Sequence, residues 1–268
     1  MKPVLRIIPL LWALVRVGPV FAAESPAKPV LLYSRHFNAA GETRYLPDGN
    51  YKEVLERMRR QFEVRVHSRA LTPEILAQVN VILMANPSDK GVGTNPPPPH
   101  VTARDIATLT AFVRRGGGLL IMGNQENHNL ETTDLNLLLA HFGMSFTNDY
   151  TDAKAFEFPR QHPVLGGLRW GFYTGNHLLL DTAHPARPEA WLVNDPATPA
   201  LGGPRNPASI LMAAARLDKG RVVLVTDAGW ITDTALNGKG IGTVAIRDQD
   251  NFEIFRRTVS WCAGLARN

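Results

Sequence analysis

"GGGLLIMGNQENHN", residues 116–129, decides how this chain is read. Three glycines lead into the apolar run Gly118 to Met122, which ends at Gly123 and a polar cluster: Asn124, Gln125, Glu126, Asn127 and His128. A short apolar run bounded by glycines reads as a buried strand, and the second glycine marks a sharp turn out of it. Turns of this layout present a nucleophile in several α/β enzyme families. Here the turn carries amides, a carboxylate and an imidazole, with no cysteine or serine.

Working outward, the same alternation of strand and helix recurs. "KPVLLYS" (Lys28 to Ser34) and "VNVILMANP" (Val79 to Pro87) read as buried strands. "FEVRVHS" (Phe62 to Ser68) alternates like a strand near a sheet edge, and "LTPEILAQ" reads as a short helix. Tyr51 to Phe62 places Tyr51, Val54, Leu55, Met58 and Phe62 on one helical face. Thr102 and Asp105 have the spacing of a capping box ahead of an apolar stripe, Ile106, Leu109, Phe112 and Val113. Asp134 is placed to cap a helix with Leu135, Leu138, Leu139 and Phe142 on its apolar face and Gly143 as its stop. Four such alternations predict an α/β fold: a mostly parallel sheet covered on both faces. Residues 88–100, with four consecutive prolines, read as an exposed loop within one domain.

From Met144 to Pro207 the pattern changes to short strands, turns and prolines, predicting a β-rich extension. "ASILMAAARL" and "GRVVLVTD" read as a hairpin turning at Asp218-Lys219-Gly220, and Asn251 to Ala263 as a closing amphipathic helix.

Lys2 and Arg6, the apolar stretch Ile7 to Val20, and Val20-Phe21-Ala22 fit a signal peptide over residues 1–22, leaving a domain of residues 23–268 and a periplasmic or secreted protein. Removing Lys2, Arg6 and Arg16 lowers the formal charge from +5 to +2, and no basic-aromatic stripe remains to hold nucleic acid. No later run reaches the roughly 20 apolar residues of a membrane span. Cys262 is the sole cysteine, so packing rather than a disulfide holds the fold.

In an open α/β sheet, ligands bind at the carboxyl ends of the strands. That edge collects His36 and Asn38 after the first strand, Asn86 and Asp89 after the third, the 124–128 turn, and Asp227 with Trp230 after "RVVLVTD". Amides, carboxylates, an imidazole and an indole suit an oligosaccharide, whose ring faces stack on aromatic side chains. His36, Asn38, Asn124, Glu126, His128, Asp227 and Trp230 are therefore the expected substrate-binding residues, though Asn and Asp are equally at home in turns and caps. Glu126 with Asp227 or His128 would supply an acid and a base. No metal-ligand spacing such as His-Glu-x-x-His occurs, and "GKGIGT" (Gly238 to Thr243) lacks a phosphate-loop pattern, so neither metal nor cofactor is expected. "HPVLGG" at His162 reads as a turn.

At residues 116–129 the chain resembles the class I glutamine amidotransferase-like superfamily, with the cysteine missing from the turn. "FVRRGGGLLIMGNQENHN", "LNLLLAHFGMSFTND", "HPVLGG", "KGRVVLVTDAGW" and "DNFEIFRRTVSW" are similar to the carboxyl-terminal domain of some bacterial unsaturated rhamnogalacturonyl hydrolases. That resemblance implies a three-layer, flavodoxin-like α/β/α fold without amide hydrolysis. It also implies an exported accessory or carbohydrate-binding domain in pectin breakdown. Two other readings stand beside it: a glycoside-active hydrolase or isomerase, and an oligomerisation or interaction domain with a homo-oligomer as its assembly.

Overall fold

The computed structural model describes residues 27–38, 44–89, 97–124, 128–147, 151–152, 155–172, 174–194, 209–237 and 249–265. The signal-peptide segment, Glu126 and "GKGIGT" lie outside them.

The expected α/β class holds, with a large, mostly parallel sheet. Its strands are β1 (Val30–Ser34), β2 (Glu63–His67), β3 (Val81–Ala85), β4 (Gly118–Met122), β5 (Met144–Phe146), β10 (Leu178–Leu180), β11 (Glu189–Val193), β12 (Ile210–Leu217) and β13 (Gly220–Val225). The order β2-β1-β3-β4-β13 is parallel throughout, with Val81 beside Gly118 and Arg221 beside Gly118 on the other side. β12 then returns antiparallel, as the predicted hairpin requires, and carries β11 at its outer edge. β2, the strand read as an edge, is indeed terminal and half-exposed.

Central strands are buried on both faces, so they read as unbroken apolar runs. Alternate residues serve two cores: Leu31, Tyr33, Val81 and Leu83 face one, and Leu32, Ile82, Leu119 and Ile121 the other. The first core is closed by α1 (Lys52–Met58) and α6 (Asn251–Cys262), the second by α2 (Pro73–Leu76), α3 (Ala103–Arg114) and α4 (Thr133–Ala140). Each fully buried aliphatic side chain contributes about 1.5–3 kcal/mol. α6 lies so close to β4 that a β-carbon at Gly118 would fall 2.5 Å from the Cys262 carbonyl oxygen. The glycine run thus serves a close approach of helix to sheet as well as a turn.

Two helix starts behave differently. Thr102 and Asp105 form the full capping box on α3. At α4 the expected cap, Asp134, lies inside the first turn, and the buried carboxylate of Glu131 takes its place, accepting the N–H groups of Asp134 and Leu135 at 2.8 Å each.

The β-rich extension contributes β5, β10 and β11 to the main sheet. It also forms two small pairs: β6 (Thr151–Asp152) with β9 (Thr174–Gly175), and β7 (Phe156–Glu157) with β8 (Arg169–Trp170). A short α5 (Asp233–Leu236) follows β13. The extension crosses the carboxyl end of β13: Asn176 N–H donates to the Thr226 carbonyl, and a β-carbon at Gly175 would overlap that same oxygen. Phe146 of β5 packs against Gly123 at the end of β4.

Candidate functional site

The loop leaving β1 returns over the strand ends and places two tyrosines there. Tyr33 on β1, Tyr45 in the loop and Tyr51 before α1 are all buried, with Tyr51 edge-on to Tyr33 at 6.1 Å and tilted on Tyr45 at 5.7 Å between ring centroids. Tyr33 hydroxyl donates to the Tyr45 carbonyl, and Tyr51 hydroxyl to the Ala228 carbonyl. Asn124 donates its amide to the Tyr45 hydroxyl at 2.5 Å. Asp227 accepts the Gly229 N–H. Burial, and then the neighbouring Tyr33, Tyr45 and Asp227, hold the Tyr51 phenol well above its ordinary pKa, so it remains a donor.

Asn124 and Asp227 follow the neighbouring strands β4 and β13, and the bonds each makes are to groups of the protein itself. Both are nearly inaccessible, 3% and 1% exposed. Trp230 is fully buried in an aromatic cluster, edge-on to Trp170 at 5.5 Å and to Phe255 at 6.1 Å, and its ring offers no face to a ligand. Its position in a 3-10 turn, Gly229–Ile231, points it inward. His36 sits elsewhere: its ring packs on Phe37, and its charged surroundings are Asp105 and His67. Burial is the main cause of its lowered pKa. Asn38 donates to the Ala85 carbonyl, fixing the start of the loop. His128 lies at the rim, where its carbonyl accepts from the side chains of Asn86 and Arg44. The structure thus places Asn124 and Asp227 after adjacent strands, leaves His36 in other charged surroundings, and takes Trp230 into the core.

Other polar residues are also structural. Asn251 binds both polar groups of Gly171 and the Trp230 carbonyl, and Asp250 holds Arg169, tying the start of α6 to the extension. His162 Nδ1 accepts the N–H groups of Val164 and Leu165, so this histidine organises its turn. Cys262 is buried on α6, its thiol pushed up to about 12 by burial, and is no nucleophile. Sequence reasoning missed Tyr45 and Tyr51 as the residues that occupy the strand ends. Their only sequence signal is a pair of aromatics closing a polar loop.

The IFT52 GIFT domain family matches residues 36–164 of this chain. The intraflagellar transport protein 52 homolog of Mus musculus is 25% identical over 113 residues, 42% of this chain and 24% of that protein. The chain thus spans about a quarter of the length of this curated relative. Among solved structures, the mmIFT52 N-terminal domain superposes with a TM-score of 0.66 at 14% identity, over 87% of this chain and 97% of that one. A cytoplasmic protein from Salmonella typhimurium gives 0.51 at 13% identity, over 87% and 98%. These two likenesses concern the fold. The IFT52 GIFT match overturns the expected membership of the glutamine amidotransferase-like superfamily and the likeness to rhamnogalacturonyl hydrolase domains. With that resemblance falls the reading of an exported domain of carbohydrate metabolism, periplasmic or secreted. The motifs quoted for it describe strands, turns and caps, which folding physics asks of many α/β chains.

Proposed function

We propose that this chain is a non-enzymatic docking domain of the GIFT type, which works by holding protein partners rather than by transforming a small molecule. One observation carries the reading: at the strand ends, Tyr33, Tyr45 and Tyr51 occupy the space an α/β enzyme leaves for substrate, and Asn124 and Asp227 are engaged with those tyrosines and with local backbone. A catalytic acid or base must reach the substrate proton directly or through one water. At 1% exposure Asp227 is poorly placed to do so.

The likeness to the mouse intraflagellar transport protein supports a role in transport rather than in small-molecule chemistry. We further infer a single domain with the three-layer, flavodoxin-like α/β/α arrangement. Helices on both sheet faces support it.

The test is sedimentation of the full chain recovered gently from the cells that encode it. A docking domain travels in a complex heavier than its own 29.5 kDa, with a stoichiometric protein partner or a second copy. A monomer that turns over a small molecule, with turnover lost in Asp227→Asn, would overturn the proposal.

A further inference from the structure

A second polar cluster lies at the other core's end of the sheet, where the loop after β3 meets the start of α4. His100 follows the proline run, and its ring stands between two carboxylates: Nδ1 is 3.0 Å from Asp134 Oδ2 and Nε2 is 3.3 Å from Asp89 Oδ1. Glu131 completes the group. One ligand atom each from His100, Glu131 and Asp134 can be chosen so that all lie within 4.8 Å of one another. We propose that His100, Glu131 and Asp134 bind a single divalent cation of the zinc or manganese class.

Three features favour an ion over a solvated surface cluster. First, the donor set is mixed. One imidazole with carboxylates suits borderline divalent metals, whereas an all-oxygen set would suit calcium or magnesium. Second, the charge is only partly compensated. Three carboxylates surround one ring, and among the described residues no lysine or arginine pairs with Asp89, Glu131 or Asp134. Glu131 is only 3% exposed, so its charge is not fully screened by water; the amides at the start of α4 offset part of it. Third, the group is held in place. Glu131 uses one lone pair on each oxygen for an α4 N–H, which fixes the carboxylate and leaves further acceptor positions free. With Nδ1 turned to the ion beside Asp134, Nε2 stays with Asp89. That is the carboxylate–histidine support by which metal-binding imidazoles are oriented.

The ligands come from positions 100, 131 and 134, and only the last two share a local spacing. The sequence shows no metal motif because the site is assembled by the fold.

The test is calorimetry on the full chain, stripped with chelator and titrated with zinc chloride and, separately, manganese chloride. One ion per chain is expected for at least one metal. His100→Ala and Asp134→Asn should each weaken that event by tenfold or more, and Asp89→Asn by about 10- to 100-fold through loss of ring support. Melting of each metal-free variant checks that the fold survives. In the wild type, metal at about 100 times its Kd should raise the melting temperature by about 5–10 °C. No saturable uptake of either metal, or uptake unchanged in the His100→Ala, Asp134→Asn double variant, would overturn the proposal.

Discussion

The two polar clusters at the strand ends differ in how their charges and hydrogen bonds are met. Around Tyr45 and Tyr51 the three phenol hydroxyls, Asn124 and Asp227 all have internal partners, and the cluster is buried. Around His100 the carboxylates of Asp89 and Asp134 are open to solvent, Glu131 is buried, and among the described residues no lysine or arginine pairs with any of the three. Position at a strand end therefore does not make a polar residue functional. What matters is whether the chain supplies the partner itself. A buried polar group with its bonds complete contributes to stability and specificity of packing. One whose charge is unanswered leaves interaction energy for something outside the chain.

Breaking the sealed cluster should cost stability. The largest effect is expected from Trp230→Ala. The side chain is fully buried against Trp170 and Phe255, so truncation should destabilise the fold by about 3–5 kcal/mol in denaturant melts. A change in ligand affinity alone, with stability intact, would restore a recognition role for this tryptophan. Asp227→Ala comes next. It leaves the part-buried Gly229 N–H without its acceptor, at about 1 kcal/mol by the same melts. Thr102→Ala, at the start of α3, should cost about 1 kcal/mol, the ordinary value of a helix cap.

The pH dependence separates the sealed region from the surface. Tyr51 has a folded pKa above its unfolded value of about 10, so its contribution is complete below pH 10 and is lost as pH rises through the folded value. Alkaline unfolding should be steeper in the wild type than in Tyr51→Phe. Glu253, by contrast, is bonded to Arg256 and Arg257, and those bonds lower its carboxyl to about 2. Its contribution is present above pH 4.5 and lost as pH falls toward 2. Glu253→Gln should flatten the acid limb of the stability curve only slightly, because this surface network is screened by solvent.

Much of the fold is legible in the chain because local signals carried it. The apolar runs of β1, β3, β4 and β13 can only be strands buried on both faces, and Thr102 with Asp105 announces α3. The start of α4 was half legible: a cap was expected, yet Asp134 lies two residues past the cap position and Glu131 supplies the acceptor. The site was harder to read because filling a crevice depends on the path of a long loop. Tyr51 has the periodicity of a helix face, and nothing local says that its hydroxyl will reach Ala228, 177 residues away. Trp230 follows a strand like a rim residue, but the Gly229–Ile231 turn directs it into the core. His100 sits beyond four prolines, and its meeting with Asp134 depends on tertiary packing.

The most direct measurement is an ultraviolet titration of tyrosine ionisation in the folded protein, taken as the difference between wild type and Tyr51→Phe. If Tyr51 plugs the strand ends, that difference shows no phenolate near pH 10 and develops only as the fold is lost. A phenolate appearing near pH 10 in the intact protein would mean that water reaches the cluster, and that the strand ends are an open cleft after all.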